Sequence, residues 1–349
     1  RIRSLADAMG YKPDPALQAL MAYRSRISPR RATTTLAYVT NWSSRWGWKH
    51  SPAHAEFFEG AHRKAEELGF TLEHFWLGEP GQTHQRLNDI LVARGIRGVV
   101  IASHLESFDD SVHFDWKQFS AVKIDFFPRS LELNHITNDQ CAIAQLAVRR
   151  TLAAGYRRIG FVMPRWWDDF VDLAWSAGFL SSQHRLPTAD HVPLLVYDND
   201  RIAQRAKAPQ ALVPQPIFSD WLRRHEPEVI ISYSPFVVPR FSELGLRVPE
   251  DIAFVDLFLE NTNGCSAGVR QNCLRVGEVA LETLAGLLAQ NTTGLPITPS
   301  ATLVEGTWLD GDSLPTRTLP NTPEARGLTR GIDNPSPYQR VPTPAALIL

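Results

Sequence analysis

Aromatic, hydroxyl and carboxylate side chains recur in this sequence directly after short apolar runs that are typical of buried strands. Ligands of open parallel sheets bind at the carboxyl ends of the strands, so residues in these positions are candidates for one site. Flat rings stack on the apolar face of a sugar, and carboxylates accept its hydroxyls. The candidates are Trp42, Ser43, Trp46, Ser103, Asp125, Asp139, Trp166, Trp167, Tyr233, Asp256 and Phe258. Together they predict a site for a small, sugar-like ligand.

A second interpretation of these residues stays open. Each tryptophan taken singly is equally well explained by core packing, since the chain has 10 of them. Asp125 and Asp139 are equally well explained as helix caps or surface residues, and Asp139 precedes a helical pattern, where capping residues are common. The set is therefore better supported than any single member.

Motifs that would indicate an enzyme or a metalloprotein are missing from the sequence. It has no glycine-rich dinucleotide or phosphate-binding loop, no nucleophile elbow, and no nucleophile at a plausible spacing from a base. His50 and His54 have a spacing that suits metal on a helix, but Pro52 lies between them and no third ligand is near. We expect no catalytic residues, no cofactor and no metal site.

The composition indicates a globular chain of about two domains with one basic end. Its 349 residues are 44% hydrophobic and 21% charged, and no apolar run reaches the length of a membrane span. Three cysteines without a C-x-x-C motif favour the reducing cytoplasm over a disulfide framework. The net charge is −1, but residues 1–31 carry seven Lys and Arg against two Asp, so we expect this end to face DNA.

Strand and helix patterns alternate along most of the chain. We predict strands at 33–40, 70–77, 97–102, 121–125, 135–137, 158–163, 191–197, 228–232, 252–256, 267–270 and 301–305, and helices at 52–69, 82–94, 138–155, 168–183, 217–225, 239–245 and 274–290. Such alternation is typical of parallel sheets with helices on both faces. Two rounds of it predict an α/β protein of two doubly wound lobes.

The basic end contains a short helix followed by arginines. Asp14 is a good N-cap and Pro15 suits the first helical position, so we predict a helix over Ala16–Tyr23. Two turns are unstable alone in water, so this helix needs a partner surface. A leucine on a small-residue helix, with cations after it, suits the minor groove of DNA. The predicted DNA contacts are Ala16, Ala19, Leu20, Tyr23 and Arg24. An ordinary interdomain helix is the other interpretation.

Three segments resemble the lactose-repressor (LacI/GalR) family of transcription regulators. They are GYKPDPALQALMAYR at 10–24, AAGYRRIGFV at 153–162 and, most specifically, LGLRVPEDIAFVD at 244–256. The resemblance implies a periplasmic-binding-protein-like fold of type I, with two lobes joined by three crossovers. It also implies an effector bound between the lobes and a homodimer on an operator, with Leu20 inserted into the minor groove.

The resemblance further implies a domain organisation. Residues 1–31 would be a remnant of the DNA-binding headpiece plus the hinge helix, so that the chain begins inside the headpiece. Residues 32–156 with 272–297 would form the N-terminal lobe, and 157–271 with 298–311 the C-terminal lobe. The crossovers would lie near 156–158, 271–273 and 296–300. The proline-rich stretch 312–349 reads as a disordered tail of no assigned function.

Three positions depart from the pattern of sugar-responsive members. Trp175 stands where many of them have an arginine, and therefore joins the candidate effector site. Phe258 falls near the family's aspartate, and Tyr233–Ser234 replaces an Asn-Asp pair. We expect either an effector that is bulkier and bound more by stacking, or a pocket that has diverged.

The resulting expectation is a cytoplasmic, ligand-responsive regulator of carbohydrate metabolism with no membrane association. Its homodimer is expected to form through the helices Pro52–Gly69 and Gln82–Arg94 and their counterparts in the second lobe. The alternative is a periplasmic-type sugar-binding protein without a DNA-binding role. The basic N-terminal segment favours the regulator.

Overall fold

The computed structural model describes residues 34–104, 112–198, 212–260 and 262–317. The predicted hinge and DNA contacts at residues 1–31 lie outside this part of the chain. Within it, no helix has the length and apolarity needed to span a bilayer. The chain divides into two units. Lobe 1 comprises the described residues up to Asp139 and Asn272–Glu305, and lobe 2 comprises Gln140–Gln271 and those from Gly306 on.

Lobe 1 is built on a six-stranded parallel sheet. Its strands are β1 (Thr34–Asn41), β2 (Phe70–Trp76), β3 (Gly98–His104), β4 (Ser120–Ile124), β5 (His135–Asn138) and β11 (Ala301–Val304). Their order is β11-β5-β4-β3-β1-β2. The strand β3 is buried at every residue because both faces of the sheet are covered, which explains its continuous apolar sequence.

Three helices flank this sheet: α1 (Pro52–Glu67), α2 (His84–Ala93) and α8 (Cys273–Ala289). A short 3₁₀ turn at Gly47–His50 precedes α1. Helices α1 and α8 cross closely at two glycines, Gly60 and Gly277. A Cβ atom on Gly277 would lie 2.7 Å from the backbone nitrogen of Ala61. The crossing therefore depends on the absence of side chains at both positions.

Lobe 2 repeats this design with one difference. Its strands are β6 (Ile159–Pro164), β7 (Leu195–Tyr197), β8 (Val229–Ser232), β9 (Ala253–Asp256), β10 (Ala267–Arg270) and β12 (Thr307–Leu309), in the order β12-β10-β9-β8-β6-β7. The edge strand β12 was not predicted, and it runs antiparallel to β10. The predicted fold class of two doubly wound parallel-sheet lobes is confirmed.

The helices of lobe 2 are α3 (Gln140–Ala153), α4 (Arg165–Asp169), α5 (Ala174–Gln183), α6 (Gln215–His225) and α7 (Ser234–Glu243). The single helix predicted at 168–183 is wrong. Asp172 and Leu173 adopt left-handed backbone conformations, with φ of 53° and 61°, and separate α4 from α5. The helix predicted to begin at Pro239 begins at Ser234 instead. Pro235 occupies its first turn, and Pro239 lies inside the helix.

The lobe boundaries differ from those predicted. The first crossover falls at Asp139/Gln140 instead of 156–158, and the third at Glu305/Gly306 instead of 296–300. The first boundary moves because α3 packs against α5, a helix of lobe 2. A Cβ atom on Gly178 in α5 would lie only 2.9 Å from the Cβ atom of Ala144 in α3. Helical periodicity shows that a helix has a buried face, but not which sheet that face covers.

The prediction of a disordered tail is wrong for residues 312–317. Ser313 and Leu314 are buried in lobe 2, and the Ser313 hydroxyl donates to the carbonyl of Phe254 at 2.7 Å while accepting from the amide of Ala267 at 2.9 Å. Arg317 pairs with Glu228, and its guanidinium lies 3.9 Å from the ring centre of Tyr156. Residues 312–317 are therefore part of lobe 2. The remainder of the predicted tail lies outside the described residues.

Candidate functional site

The carboxyl edge of the lobe 1 sheet collects polar side chains from four strands. Asn41 ends β1, Ser103 and His104 end β3, Asp125 follows β4, and Asn138 ends β5. Because the strands are parallel, these ends lie along one edge of the sheet. Two of the predicted residues, Ser103 and Asp125, lie on this edge. Trp42 directly follows β1 and packs edge-on against His54, with ring centres 4.9 Å apart.

Two residues on this edge have unusual backbone conformations. Ser103 and Asp125 adopt positive φ angles of 53° and 70°, which are uncommon for residues other than glycine and cluster at ligand sites. Asp125 accepts a hydrogen bond of 3.1 Å from the Thr137 hydroxyl. Burial raises the pKa of the Asp125 carboxyl above its ordinary value.

Two neutral histidines lie behind these residues. Burial lowers the pKa of both His54 and His104 to about 4. His54 Nδ1 is 3.1 Å from the Ser103 hydroxyl. His104 Nδ1 is 3.0 Å from the Ala102 carbonyl, which can accept only, so Nδ1 carries the proton. His104 Nε2 is then a buried acceptor, and it has no partner among the described residues.

The other predicted residues of lobe 1 have different surroundings. Trp46 is 46% exposed and packs on His74, with ring centres 4.5 Å apart, while the Lys49 ammonium lies 4.3 Å from its centre. Ser43 is exposed in the same loop. Asp139 directly precedes α3, and its amide donates to the Val304 carbonyl at 2.9 Å. The capping interpretation of Asp139 therefore stays open.

The carboxyl edge of the lobe 2 sheet is lined by aromatic rings. Trp175 stacks on Trp167 with ring centres 4.6 Å apart and 13° between planes, and Trp167 stacks on Tyr233 at 6.1 Å and 18°. We call Trp175, Trp167 and Tyr233 the ring stack. Phe258 contacts Tyr233 at 5.4 Å, and Trp166 contacts Phe236 at 6.1 Å. Five of the predicted lobe 2 residues therefore lie in one aromatic cluster.

The sixth predicted residue of lobe 2, Asp256, ends β9 beside this cluster. It is 4% exposed and accepts hydrogen bonds from the Ser234 hydroxyl and, at 2.9 Å, from the amide of Phe258. Burial raises the pKa of its carboxyl to about 6, against the effect of these two donors. At neutral pH, Asp256 is thus a carboxylate whose oxygens already have internal donors.

Sequence reasoning missed three residues of these edges. Asn138 was treated as the start of a helix, although it ends β5. Phe236 lies one helical turn after Tyr233, and this spacing was a usable signal. Glu260, which accepts a 2.6 Å hydrogen bond from the Tyr233 hydroxyl, follows an irregular stretch in which no sequence pattern predicts a contact.

Comparisons with known proteins identify the fold. No family model matches the sequence, and no curated protein matches it. Solved structures do match. A LacI-family transcriptional regulator from Rhizobium etli is 20% identical, with 81% of this chain and 100% of the other covered and a TM-score of 0.58. A complex of the regulator CelR with cellobiose is 17% identical, with 86% and 92% covered and a TM-score of 0.57.

A third similar structure is a Lac repressor dimer bound to operator and the anti-inducer ONPF. It is 15% identical, with 87% of this chain and 99% of the other covered and a TM-score of 0.54. At these identities the likeness concerns the arrangement of the elements rather than individual side chains. The chain therefore has the two-lobed, periplasmic-binding-protein-like fold of the LacI-family transcription regulators.

Proposed function

We propose that this protein is a ligand-responsive transcription regulator of the LacI type that controls carbohydrate metabolism. The observation that carries the proposal is the pair of carboxyl edges, each lined by buried polar or aromatic side chains, on a fold shared with such regulators. The cellobiose complex of CelR supports a sugar-like effector. The similar structures are regulators, which supports a role in binding rather than catalysis.

The effector is proposed to contact both carboxyl edges. In lobe 1 it would meet Trp42, Ser103 and Asp125, and in lobe 2 the ring stack and Asp256. Ligand binding would shift the population of lobe arrangements, and operator binding would respond because the two equilibria are linked. Ser43, Trp46 and Asp139 stay candidates whose contribution a substitution series would measure.

Residues 1–31 are proposed to form the DNA-contacting segment. Their excess of Lys and Arg suits phosphate binding, and Leu20 on a small-residue helix suits insertion into the minor groove. The Lac repressor structure bound to operator supports this assignment. The full-length gene product should select one DNA sequence from a randomised duplex library, and failure to enrich any sequence would refute the proposal.

A homodimer is proposed, formed by α1, α2 and their lobe 2 counterparts. The glycine-bearing face of α1 is occupied by α8, so the dimer would use the opposite face of α1 together with α2, where Val92 is exposed. Light scattering at micromolar concentration should give twice the mass of 39.2 kDa. A monomer would contradict this part of the proposal.

A solute-binding protein of the periplasmic class is the second candidate, because it shares the same core. The codons that precede Arg1 in the gene separate the two functions. A helix-turn-helix encoded there would support the regulator, whereas a secretion signal or a lipobox would support the transport protein.

A further inference from the structure

A surface groove of about 670 Å³ lies in lobe 2 between the edge strand β7 and helix α6. Its apolar lining is formed by Leu195, Pro216, Ile217 and Trp221. Leu195 and Trp221 are buried and form the floor, whereas Ile217 is 49% exposed and Pro216 is exposed beside it. Because no described residue covers these two, the groove can receive a further apolar segment.

The groove is separate from the candidate effector site. Leu195 is the first residue of β7, and Arg223, Arg224 and His225 line the groove from the end of α6. Because α6 leads into β8, its end lies at the amino edge of the sheet. The ring stack and Asp256 lie at the opposite, carboxyl edge.

The floor of the groove has a fixed shape. The Trp221 indole N–H donates to the Pro193 carbonyl at 3.0 Å, and the ring stacks on the buried Phe218 with centres 6.3 Å apart. A segment that docks on Trp221 therefore meets a side chain that is already ordered, which lowers the entropic cost of docking.

The rim of the groove carries positive charge. Arg223 and Arg224 are exposed and share one carboxylate, Asp220, at 2.5 and 2.7 Å. Like charges disfavour a basic occupant. This argues against two basic segments outside the described residues, 1–31 and 199–211, and favours an uncharged one.

An uncharged apolar segment occurs later in the same chain. Residues 345–349 read AALIL, and residues 318–344 connect them to Arg317 in lobe 2. Both stretches lie outside the described residues. Even as a random coil, a connection of this length spans roughly 30 Å.

The connection starts close to the groove. Arg317 pairs with Glu228, which accepts a 3.0 Å hydrogen bond from the amide of Arg158. The guanidinium of Arg158 donates in turn to the carbonyl of His225, which lines the groove. With so few residues between Arg317 and the groove, the tether would hold residues 345–349 at an effective concentration of about 1 mM.

We propose that residues 345–349 dock in the groove between β7 and α6 of the same chain, with their apolar side chains on Leu195, Ile217 and Trp221. Docking removes from solvent both an apolar segment and the exposed side chain of Ile217. The inference does not rest on the proposed function, because neither the effector nor DNA takes part in it.

A peptide of residues 338–349 tests the inference by fluorescence anisotropy. It carries fluorescein, and its C-terminus is amidated so that it brings no terminal charge. In the full chain, Leu347→Asp with Ile348→Asp should empty the groove. This tail variant should bind the peptide at least tenfold more tightly than the wild type, where the tethered segment competes at about 1 mM with a peptide Kd of about 100 μM. Equal affinities, or no binding by either protein, would overturn the inference.

Further substitutions in the tail variant locate the binding surface. Ile217→Asp should weaken peptide binding at least tenfold, and Ile217→Gln replaces it if the aspartate variant does not fold. Leu180→Asp changes a leucine of α5 that is 45% exposed in the same lobe, and serves as the matched control. Peptide binding that survives Ile217→Asp, or falls equally in the control, would place the peptide elsewhere and refute the groove.

Proteolysis of the intact chain tests docking without added peptide. Elastase cleaves after small aliphatic residues, and mass spectrometry follows the loss of residues 345–349. We expect cleavage to be about tenfold slower in the wild type than in Ile217→Asp, because a docked segment must open before it is cut. Equal rates would contradict docking, and protection that increases with protein concentration would assign the segment to the groove of another copy.

Discussion

The crossing of α1 and α8 offers a sharp test of lobe 1, because one helix carries both a constrained and an unconstrained glycine. A Cβ atom on Gly277 would lie 2.7 Å from the Ala61 nitrogen and closer still to the Phe57 carbonyl oxygen. A Cβ atom on Gly286, in the same helix, would meet nothing within 4 Å. The same substitution, Gly→Ala, should therefore have opposite effects at the two positions.

The magnitudes follow from helix propensity and steric overlap. Alanine stabilises a helix interior by roughly 0.5–1 kcal/mol relative to glycine, so Gly286→Ala should raise the free energy of unfolding by about that amount. Gly277→Ala gains the same term but forces two backbones apart, and overpacking costs about 1–3 kcal/mol or more. Since the overlap is with backbone rather than with a flexible side chain, we expect a net loss of about 2 kcal/mol.

Urea denaturation and thermal melting of the wild type and both variants, followed by circular dichroism, measure these changes. The melting temperature should fall by about 4–8 °C for Gly277→Ala and rise slightly for Gly286→Ala. If Gly277→Ala were as stable as Gly286→Ala, the two helices would not cross at this point. The close packing of α1 on α8 would then be wrong.

Three further predictions concern buried polar groups. Ser313→Ala should lower the free energy of unfolding by about 2–4 kcal/mol in urea titration, because it leaves the Ala267 amide and the Phe254 carbonyl without their side-chain partner, whereas exposed Thr316→Ala should have no effect. Burial raises the pKa of Asp256 to about 6 from 3.8, so its contribution to stability is complete below pH 3.8 and is lost as the pH rises through 6. The wild type should therefore lose about 3 kcal/mol of unfolding free energy between pH 3.8 and 6, measured by urea titration. The variant Asp256→Asn has no carboxyl group to titrate at this position and should not show this loss. Long-range ¹H–¹⁵N correlation spectra should show His104 neutral and protonated on Nδ1 at pH 6, and a proton on Nε2 would contradict the assignment.

The sequence predicted the alternation of elements well because buried parallel strands have continuous apolar runs. β3, for example, is buried at every residue. It could not predict to which lobe α3 belongs, because its amphipathic pattern would suit either sheet. The end of lobe 2 was also predicted too early. Ser313 contacts lobe 2 by hydrogen bonds to backbone groups and Arg317 by an ion pair, and such contacts leave no apolar periodicity in the sequence.

The candidate site was predictable to the extent that it follows from strand ends. Trp167, Tyr233 and Asp256 became candidates because they follow or end buried apolar runs, and parallel topology places such residues along one edge of a sheet. The atoms of His104 and Asn138 that lack a partner among the described residues were not predictable, because hydrogen-bond satisfaction depends on tertiary neighbours. The stack of Trp175 on Trp167 was hidden by the unpredicted break between α4 and α5, which brings residues eight positions apart into contact.

Coupling between effector binding and DNA binding is the property that defines the proposed regulator, and it can be measured. Fluorescence anisotropy of the full-length gene product, with the duplex selected from the randomised library, measures DNA affinity with and without the glycoside that binds most tightly in a calorimetric screen. We expect the glycoside to change the DNA affinity by about tenfold, in either direction, which is within the usual range of allosteric coupling. An affinity that is unchanged at saturating glycoside would contradict it.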